Sequence, residues 1–328
     1  MNQVYLGLDT SCYTTSLAAV DATGRLLLDF REPLQVAQGE RGLQQSAALF
    51  QHVQNFPQLI AKAAANIDFR TVVGVAASTS PRAVTGSYMP VFTVSSGQGL
   101  SISQILGVPF VPTSHQEGHL AAGIWSAGGP APTEFLAIHL SGGTSELLKV
   151  QRKSPATGEP LFTTQLLGGS TDLHAGQFVD RVGVKLGLGF PAGPKLEVLA
   201  REGQAGKGLI PSAARGYAIS FSGPEAQAQR LIEQGVPAAD VARAVETCIC
   251  KTLLKLIRHG VAEHGCKNIL LVGGVAANQY IRHEVQVQLA RDHVKTYFAE
   301  PKYSSDNAVG VAVIAANALS NYKFWPNV

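Results

Sequence analysis

Two histidines four residues apart, His115 and His119, carry the spacing in this chain that points most directly to chemistry. Residues i and i+4 of an α-helix share a face, so two imidazoles so placed can be offered to one cation. The competing reading is a pair of unrelated polar residues on an exposed turn. The run is His115-Gln116-Glu117-Gly118-His119, whereas zinc proteases place a glutamate directly after the first histidine. At about 100° per residue, Glu117 points away from the histidine face, which disfavours a metalloendopeptidase. Asp306, after Tyr303-Ser304-Ser305, would complete a set of two histidines and one carboxylate with open positions for substrate. It would equally serve as an ordinary N-cap or first-turn acid of the helix that follows.

A second group of residues suggests phosphate chemistry. Tyr5-Leu6-Gly7-Leu8-Asp9-Thr10-Ser11 is a short apolar strand that breaks into a polar turn, and residues 135–145 repeat the pattern, ending in Ser141-Gly142-Gly143-Thr144-Ser145. Each copy is followed by a second apolar run, 16–20 or 147–150, and then by a turn with Gly24 or Gly158. Such strand-turn-strand units can aim backbone N–H groups at a phosphate. Gly273-Gly274, between a strand and a helix, lets the backbone approach a ligand closely, although glycine is common at such junctions. Asp180 either accepts from ribose hydroxyls or lies on a solvated helix face.

Regular elements must position these groups. Strands are predicted over 4–8, 17–20, 26–30, 72–77 and 269–272. Helices are predicted around 43–63 with a bend at Pro57, and over 85–106, 115–125 with Ser114 as N-cap, 172–188 and 238–264. A helical turn opens at Glu197 after the interruption Pro191-Ala192-Gly193-Pro194, and the last helix runs from Ser305 or Asp306 to about Leu319. Gly128-Gly129-Pro130-Ala131-Pro132 reads as a linker, and 203–216 as a loop rich in small residues.

A length of 328 residues favours two lobes over one core. With 45% apolar and 15% charged residues the chain is globular, and a net charge of +3 neither announces nor excludes nucleic acid. Cys12, Cys248, Cys250 and Cys266 form no CxxC pair, so free thiols in a reducing compartment are expected. No basic and apolar leader follows Met1, and no apolar run is long enough to span a bilayer; a cytoplasmic location without membrane contact is the expectation.

Taken in order, the motifs resemble the TsaD (Gcp) family of tRNA threonylcarbamoyladenosine transferases, in the actin, sugar kinase and Hsp70 superfamily. The resemblance runs through 7–12, His115 to His119, Ser141-Gly142-Gly143, 172–180, 186–188, 191–194, Phe221-Ser222-Gly223, 273–278 and Ser305-Asp306-Asn307. It implies an α/β fold of duplicated actin-like (ribonuclease H-like) lobes with mixed sheets and a ligand cleft between them. The first lobe would be 1–130 plus 307–328 and the second 131–306. His115, His119 and Asp306 match the family's metal ligands. Ser141, Gly142 and Gly143, with Thr144, match the phosphate-side loop. Asp180, Gly193 and Asn278 match residues holding adenosine, beside Gly273 and Gly274. The implied reaction moves threonylcarbamoyl from threonylcarbamoyl-adenylate to N6 of adenine 37 in tRNA. It would use one divalent metal ion: iron or zinc first, manganese or magnesium as alternatives. The implied partners are tRNA, a TsaB-like protein of the same fold and a TsaE-like ATPase, or a second copy of the chain.

The chain departs from the family around the reaction centre. Tyr13-Thr14 replace an Asp-Glu pair, Thr144-Ser145-Glu146 replace a His-Thr-Gln or Asn-Thr-Gln run, Leu173 and Gln177 replace acids, Pro224-Glu225 replace Leu-Lys, and Ser80-Pro81-Arg82 replace a Gly-Pro-Gly turn. No catalytic residue is assigned, because the acidic pair is absent. The alternative expectation is a non-catalytic paralogue that binds adenine nucleotide and metal as an interaction or regulatory subunit.

Overall fold

The computed structural model describes residues 3–11, 13–36, 43–153, 160–204 and 209–320. Cys12, the turn at Gly158 and residues 205–208 of the predicted small-residue loop lie outside the described residues. The chain divides into two units. Unit 1 is Met1–Thr133, Gln151–Thr163 and Ser305–Val328, and unit 2 is Glu134–Val150 and Thr164–Ser304. Residues 131–133, 151–163 and 305–306 thus group with the first unit, whereas the resemblance put them in the second lobe.

Unit 1 is built on strands β1 (Val4–Thr10), β2 (Thr14–Asp21), β3 (Leu26–Pro33), β4 (Val72–Ser80) and β5 (Phe110–Ser114), in the order β3-β2-β1-β4-β5. β1 is antiparallel to β2 and parallel to β4. Every residue of β1 is buried, which explains its nearly continuous apolar sequence. Its two faces meet different helices. Leu6 and Leu8 join a core with Phe56 and Leu59 of α1 (Gln45–Ala64). Gly7 faces the other way, where a Cβ would overlap the Ala312 nitrogen of α9 (Val309–Leu319). Pro57 does not break α1: Pro57 and Val53, whose carbonyl it leaves without an N–H partner, both lie on the exposed face.

The helix predicted over 85–106 is shorter: α2 spans Phe92–Leu106. Pro90 biases Met89 away from helical backbone, so the helix can only begin beyond it. α3 (His115–Ala127) follows β5 and packs on α9. α9 begins at Val309, later than predicted: Ala308 holds the N-cap position without a side-chain cap, and Asn307 Oδ1 accepts from Val309 N at 3.0 Å in the turn before it. Asp306 is thereby left outside the helix.

Unit 2 repeats the plan. Its strands β6 (Glu134–Leu140), β7 (Ser145–Arg152), β8 (Phe162–Gly169), β11 (Asn268–Val272) and β12 (Lys295–Phe298) run β8-β7-β6-β11-β12, the order of the first sheet strand for strand. β11 is parallel to both β6 and β12, as β4 is to β1 and β5. A small hairpin, β9 (Ala214–Arg215) and β10 (Ala218–Ile219), precedes α6 (Ser222–Glu233). α7 (Ala238–His264) has the predicted bounds and buries Val241, Val245, Ile249, Leu253 and Ile257 along one stripe. α4 (Ala175–Lys185) is shorter than predicted at both ends. Asp172 stays in the preceding loop, where it accepts from Ser220 Oγ at 2.6 Å and Phe221 N at 3.2 Å. α5 (Gly193–Ala200) starts earlier than predicted, with Pro194 in its first turn, and α8 (Gln279–Arg291) follows β11. The fold is therefore the duplicated α/β architecture expected from the motifs. Cys248, Cys250 and Cys266 are free thiols, and among the described residues no helix is long and apolar enough to cross a membrane.

Candidate metal centre and glycine turns

The candidate metal centre begins with the local chemistry of residues 113–117. Ser114 Oγ accepts from Glu117 N at 3.2 Å, while Glu117 Oε2 accepts from Ser114 N at 3.0 Å and from Thr113 Oγ1 at 3.1 Å. This capping box starts α3 at His115 and shows what Glu117 does: it ties down the helix end. Gln116 N donates to the Pro81 carbonyl at 3.0 Å and clamps the first turn from another side. His115 and His119 then fall one turn apart with ring centroids 4.4 Å apart.

The three predicted ligands come together within unit 1. His115 Nε2 and His119 Nε2 are 3.1 Å apart, and Asp306 Oδ1 lies 3.5 and 3.4 Å from them. Their donor atoms all lie within 4.8 Å of one another. His119 is buried, so the exposed-turn reading does not describe this pair.

Two residues behind the ligands were not picked out by spacing. The fully buried Asp9 sits 3.0 Å from His115 Nδ1 through Oδ1 and 3.2 Å through Oδ2. That engages one ring nitrogen and turns Nε2 towards His119 and Asp306. Ser11 Oγ donates to Asp306 Oδ2 at 2.6 Å, leaving Oδ1 for the histidines. The signal that could have found them is the abrupt polar end of β1, Asp9-Thr10-Ser11, on an otherwise apolar strand.

The electrostatics favour positive charge at this place. Burial acts to lower the His115 pKa, but the Asp9 charge and hydrogen bonds with Asp306 and Asp9 outweigh it and raise the pKa well above the usual range. Burial pushes Asp306 the other way, and hydrogen bonds from His115 and His119 hold its carboxyl well below the ordinary value. Two nitrogens and one oxygen converge, with His115 Nδ1 engaged by Asp9 and Asp306 Oδ2 by Ser11, and they fit a divalent transition-metal ion by donor type.

The glycine-rich turns lie in unit 2. β6 and β11 are parallel with Val272 beside His139, so the turns that leave them, 141–144 and 273–274, emerge next to each other at the carboxyl ends of the strands. Open α/β sheets bind ligands at such ends. Gly273 has φ +98°, and a Cβ there would overlap the Leu140 carbonyl oxygen, so glycine is required for this close approach. Ser141 N donates to the Thr144 carbonyl at 2.7 Å and closes the turn, while Gly142 and Gly143 face open space. Gly176, in the first turn of α4, admits this turn: a Cβ there would lie 2.7 Å from Gly142 N.

Asp180, Gly193 and Asn278 are built into the surrounding helices. Asp180 Oδ1 accepts from Ala192 N at 2.7 Å, beside Gly193 at the start of α5, and burial raises the Asp180 pKa. Asn278 caps α8 through Oδ1, which accepts from Ile281 N at 2.9 Å, and Nδ2 donates to Glu246 Oε1 at 2.6 Å. Tyr13 is half-exposed and Thr14 opens β2, so a phenol and a hydroxyl stand where the family pattern has two acids.

Glu246 is almost fully buried and was missed at the sequence level, because it sits in the apolar stripe of α7. Arg243 donates to its Oε2 at 2.6 Å. Burial pushes its carboxyl from 4.5 up to about 7, outweighing the Asn278 and Arg243 contacts, with Glu197 adding to the rise. A carboxyl with a raised folded-state pKa binds a proton more tightly in the folded than in the unfolded chain. Its contribution is therefore fully present below the unfolded value and is lost as pH rises through the folded one. Compared with Glu246→Gln, wild type is expected to lose up to about 3 kcal/mol of stability between about pH 4.5 and 7. Urea unfolding of both proteins across that range measures the difference; parallel pH profiles would show that Glu246 is not displaced.

A model of the TsaD family, described as tRNA N6-adenosine threonylcarbamoyltransferase, matches residues 34–313. The tRNA N6-adenosine threonylcarbamoyltransferase of Thermus thermophilus is 30% identical over 317 residues, covering 94% of this chain and 91% of that protein. The corresponding protein of Prochlorococcus marinus subsp. pastoris is 30% identical over 339 residues, covering 97% of this chain and 90% of its own. Among solved structures, T. kodakarensis HypF superposes with a TM-score of 0.60 at 14% identity, over 97% of this chain and 48% of that one. Component A of the Acidaminococcus fermentans (R)-2-hydroxyglutaryl-CoA dehydratase gives 0.56 at 12% identity, over 96% and 98%. These two likenesses speak to the fold alone. With its family match, its relatives and its duplicated fold on one footing, this chain belongs to the TsaD family of tRNA N6-adenosine threonylcarbamoyltransferases, a family of acyltransferases.

Proposed function

We propose that this protein transfers the threonylcarbamoyl group from threonylcarbamoyl-adenylate to N6 of adenine 37 in tRNA, with a divalent metal ion held by His115, His119 and Asp306. The observation that carries the reading is the convergence of those three donors, backed by Asp9 and Ser11, in a member of this family. Two imidazoles and one carboxylate suit zinc or iron first and manganese next; magnesium prefers oxygen ligands and water. When bound, the ion would supply Lewis acidity towards the donor's carbonyl or phosphate.

The chain's own residues do the rest. Asp9 keeps the His115 ring turned and its Nδ1 engaged, and Ser11 keeps Asp306 Oδ1 presented. In unit 2 the turn Ser141-Gly142-Gly143-Thr144 offers backbone N–H groups to negative charge, as does the Gly273-Gly274 turn. Asp180, Gly193 and Asn278 take the adenosine portion. The partners we assign are tRNA and a TsaB-like protein with a TsaE-like ATPase, with a second copy of this chain as the alternative, all in the cytoplasm.

Tyr13-Thr14 and Pro224-Glu225 favour a second reading, in which the protein binds metal and adenine nucleotide as a non-catalytic subunit. One experiment separates the two. The full chain is loaded with zinc or iron and incubated with threonylcarbamoyl-adenylate and tRNA, and the nucleosides are analysed by mass spectrometry. Threonylcarbamoyladenosine is the expected product. Retention of adenylate without product would establish the second reading, and failure to bind either adenylate or metal would overturn both.

A further inference from the structure

Beyond Ser11 the hydrogen bonds continue to a buried histidine to which the metal reading gives no part. His52 lies on the inner face of α1 and is fully buried. Its Nε2 is 2.7 Å from the Ser11 carbonyl oxygen. A carbonyl only accepts, so Nε2 carries the hydrogen. Burial lowers the His52 pKa and favours the neutral ring, in which Nδ1 is an acceptor. Thr15 Oγ1, 2.8 Å away, fills that acceptor and itself accepts from Asn55 Nδ2 at 3.1 Å. The path Asn55, Thr15, His52, Ser11, Asp306 therefore has one consistent direction of donation up to the Ser11 carbonyl. It resumes at the Ser11 hydroxyl, which donates to Asp306 Oδ2.

The residue before Ser11 is already held by other means. Thr10 Oγ1 donates to the Val91 carbonyl at 2.8 Å and accepts from Ser95 N at 3.1 Å. Those bonds fix the end of β1, while the Ser11 carbonyl, one residue further along the turn, is held by His52.

We propose that His52 is a positioning residue for the metal centre: by holding the Ser11 carbonyl it sets the Ser11 hydroxyl on Asp306 Oδ2 and so aims Asp306 Oδ1 at the two histidines. This rests on the metal reading given above, and extends it to a residue on a different element that touches no ligand of the ion.

The test is zinc affinity, measured by titration calorimetry on the full chain with Zn²⁺ alone. His52→Phe keeps a ring but donates nothing, and is expected to weaken zinc binding about 10–100-fold, the range for loss of an outer-shell partner. His52→Gln retains an amide N–H for the Ser11 carbonyl and should restore affinity to within about threefold of wild type. Ser11→Ala removes only a hydroxyl, so it reads the same path even if His52→Phe does not fold. Its loss should match that of His52→Phe, and the double variant should be no weaker than the worse single variant, because both interrupt one path. Unchanged affinity in His52→Phe or Ser11→Ala overturns the proposal, as do additive losses in the double variant. Equal weakening by Gln and Phe also overturns it, since it would assign the effect to packing. Failure of wild type to bind zinc at all removes the metal reading and this inference with it, whereas tight binding by wild type and His52→Phe alike removes the inference alone.

Discussion

His119→Ala is expected to abolish tight zinc binding and, with it, any transfer of threonylcarbamoyl to tRNA, while leaving the protein folded. Four-ligand zinc sites share roughly 10–16 kcal/mol, so one ligand is worth about 3 kcal/mol, or on the order of a hundredfold in affinity. His115→Ala should do the same and more. Its imidazole also pairs with Asp9, which is fully buried, so its loss leaves a carboxylate in the interior without that partner. Removing one member of a buried pair costs about 3–5 kcal/mol, a penalty that His119→Ala does not carry. Adding Asp9→Asn to His115→Ala removes the orphaned charge and should recover most of the thermal stability without recovering zinc. Calorimetric melting and zinc titration on the three variants separate these effects. Equal melting temperatures for His115→Ala and His119→Ala would show that Asp9 does not depend on His115, and wild-type zinc affinity in His119→Ala would remove it from the ligand set.

Gly310→Ala is expected to damage both stability and the metal centre, although helix propensity argues the opposite. Alanine in place of glycine within a helix is worth about 1 kcal/mol in favour of the variant. Gly310, however, lies in the first turn of α9 four residues after Asp306, where a Cβ would overlap the Gly118 carbonyl oxygen and stand 2.7 Å from Ala122 N. Those are backbone atoms of α3, so the helix must shift as a body, and Gly118 lies between His115 and His119. Overpacking of this kind costs about 1–3 kcal/mol and here outweighs propensity. The melting temperature should fall by roughly 5 °C, and zinc affinity should fall with it as the two histidines move away from Asp306. Gly118→Ala is the milder comparison: its Cβ would lie 3.1 Å from one Val311 methyl and overlap no backbone atom, so it should lower the melting temperature less than Gly310→Ala. A Gly310→Ala protein that melts at or above the wild-type temperature would contradict this account of the α3–α9 crossing.

The candidate centre was legible in part. The histidine pair stood out because helical periodicity is a local rule, and Ser114 with Glu117 marked the helix start by another. Asp306 was ambiguous between ligand and cap; α9 begins three residues after it with Ala308 at the N-cap position, so Asp306 does not cap the helix. Asp9, Ser11 and His52 carried no spacing signal, since they meet the ligands only after β1, α1 and α3 have packed together. The sequence reading also ran three helices too long, α9 among them. In α2 the limit is backbone restriction before Pro90, and in α4 it is the hydrogen bonds that draw Asp172 to Ser220 and Phe221.

By itself, then, the order of residues determined the duplicated α/β plan, the long helix α7, the paired imidazoles and membership of the family, because apolar patterning, capping and ordered motifs act over short stretches of chain. Tertiary structure alone decided which carboxylate lies beside the imidazoles, which nitrogen of each ring faces the other, and which glycines cannot carry a side chain. Those outcomes depend on contacts between segments far apart in sequence, and no local rule reports a distance of three ångströms across a core.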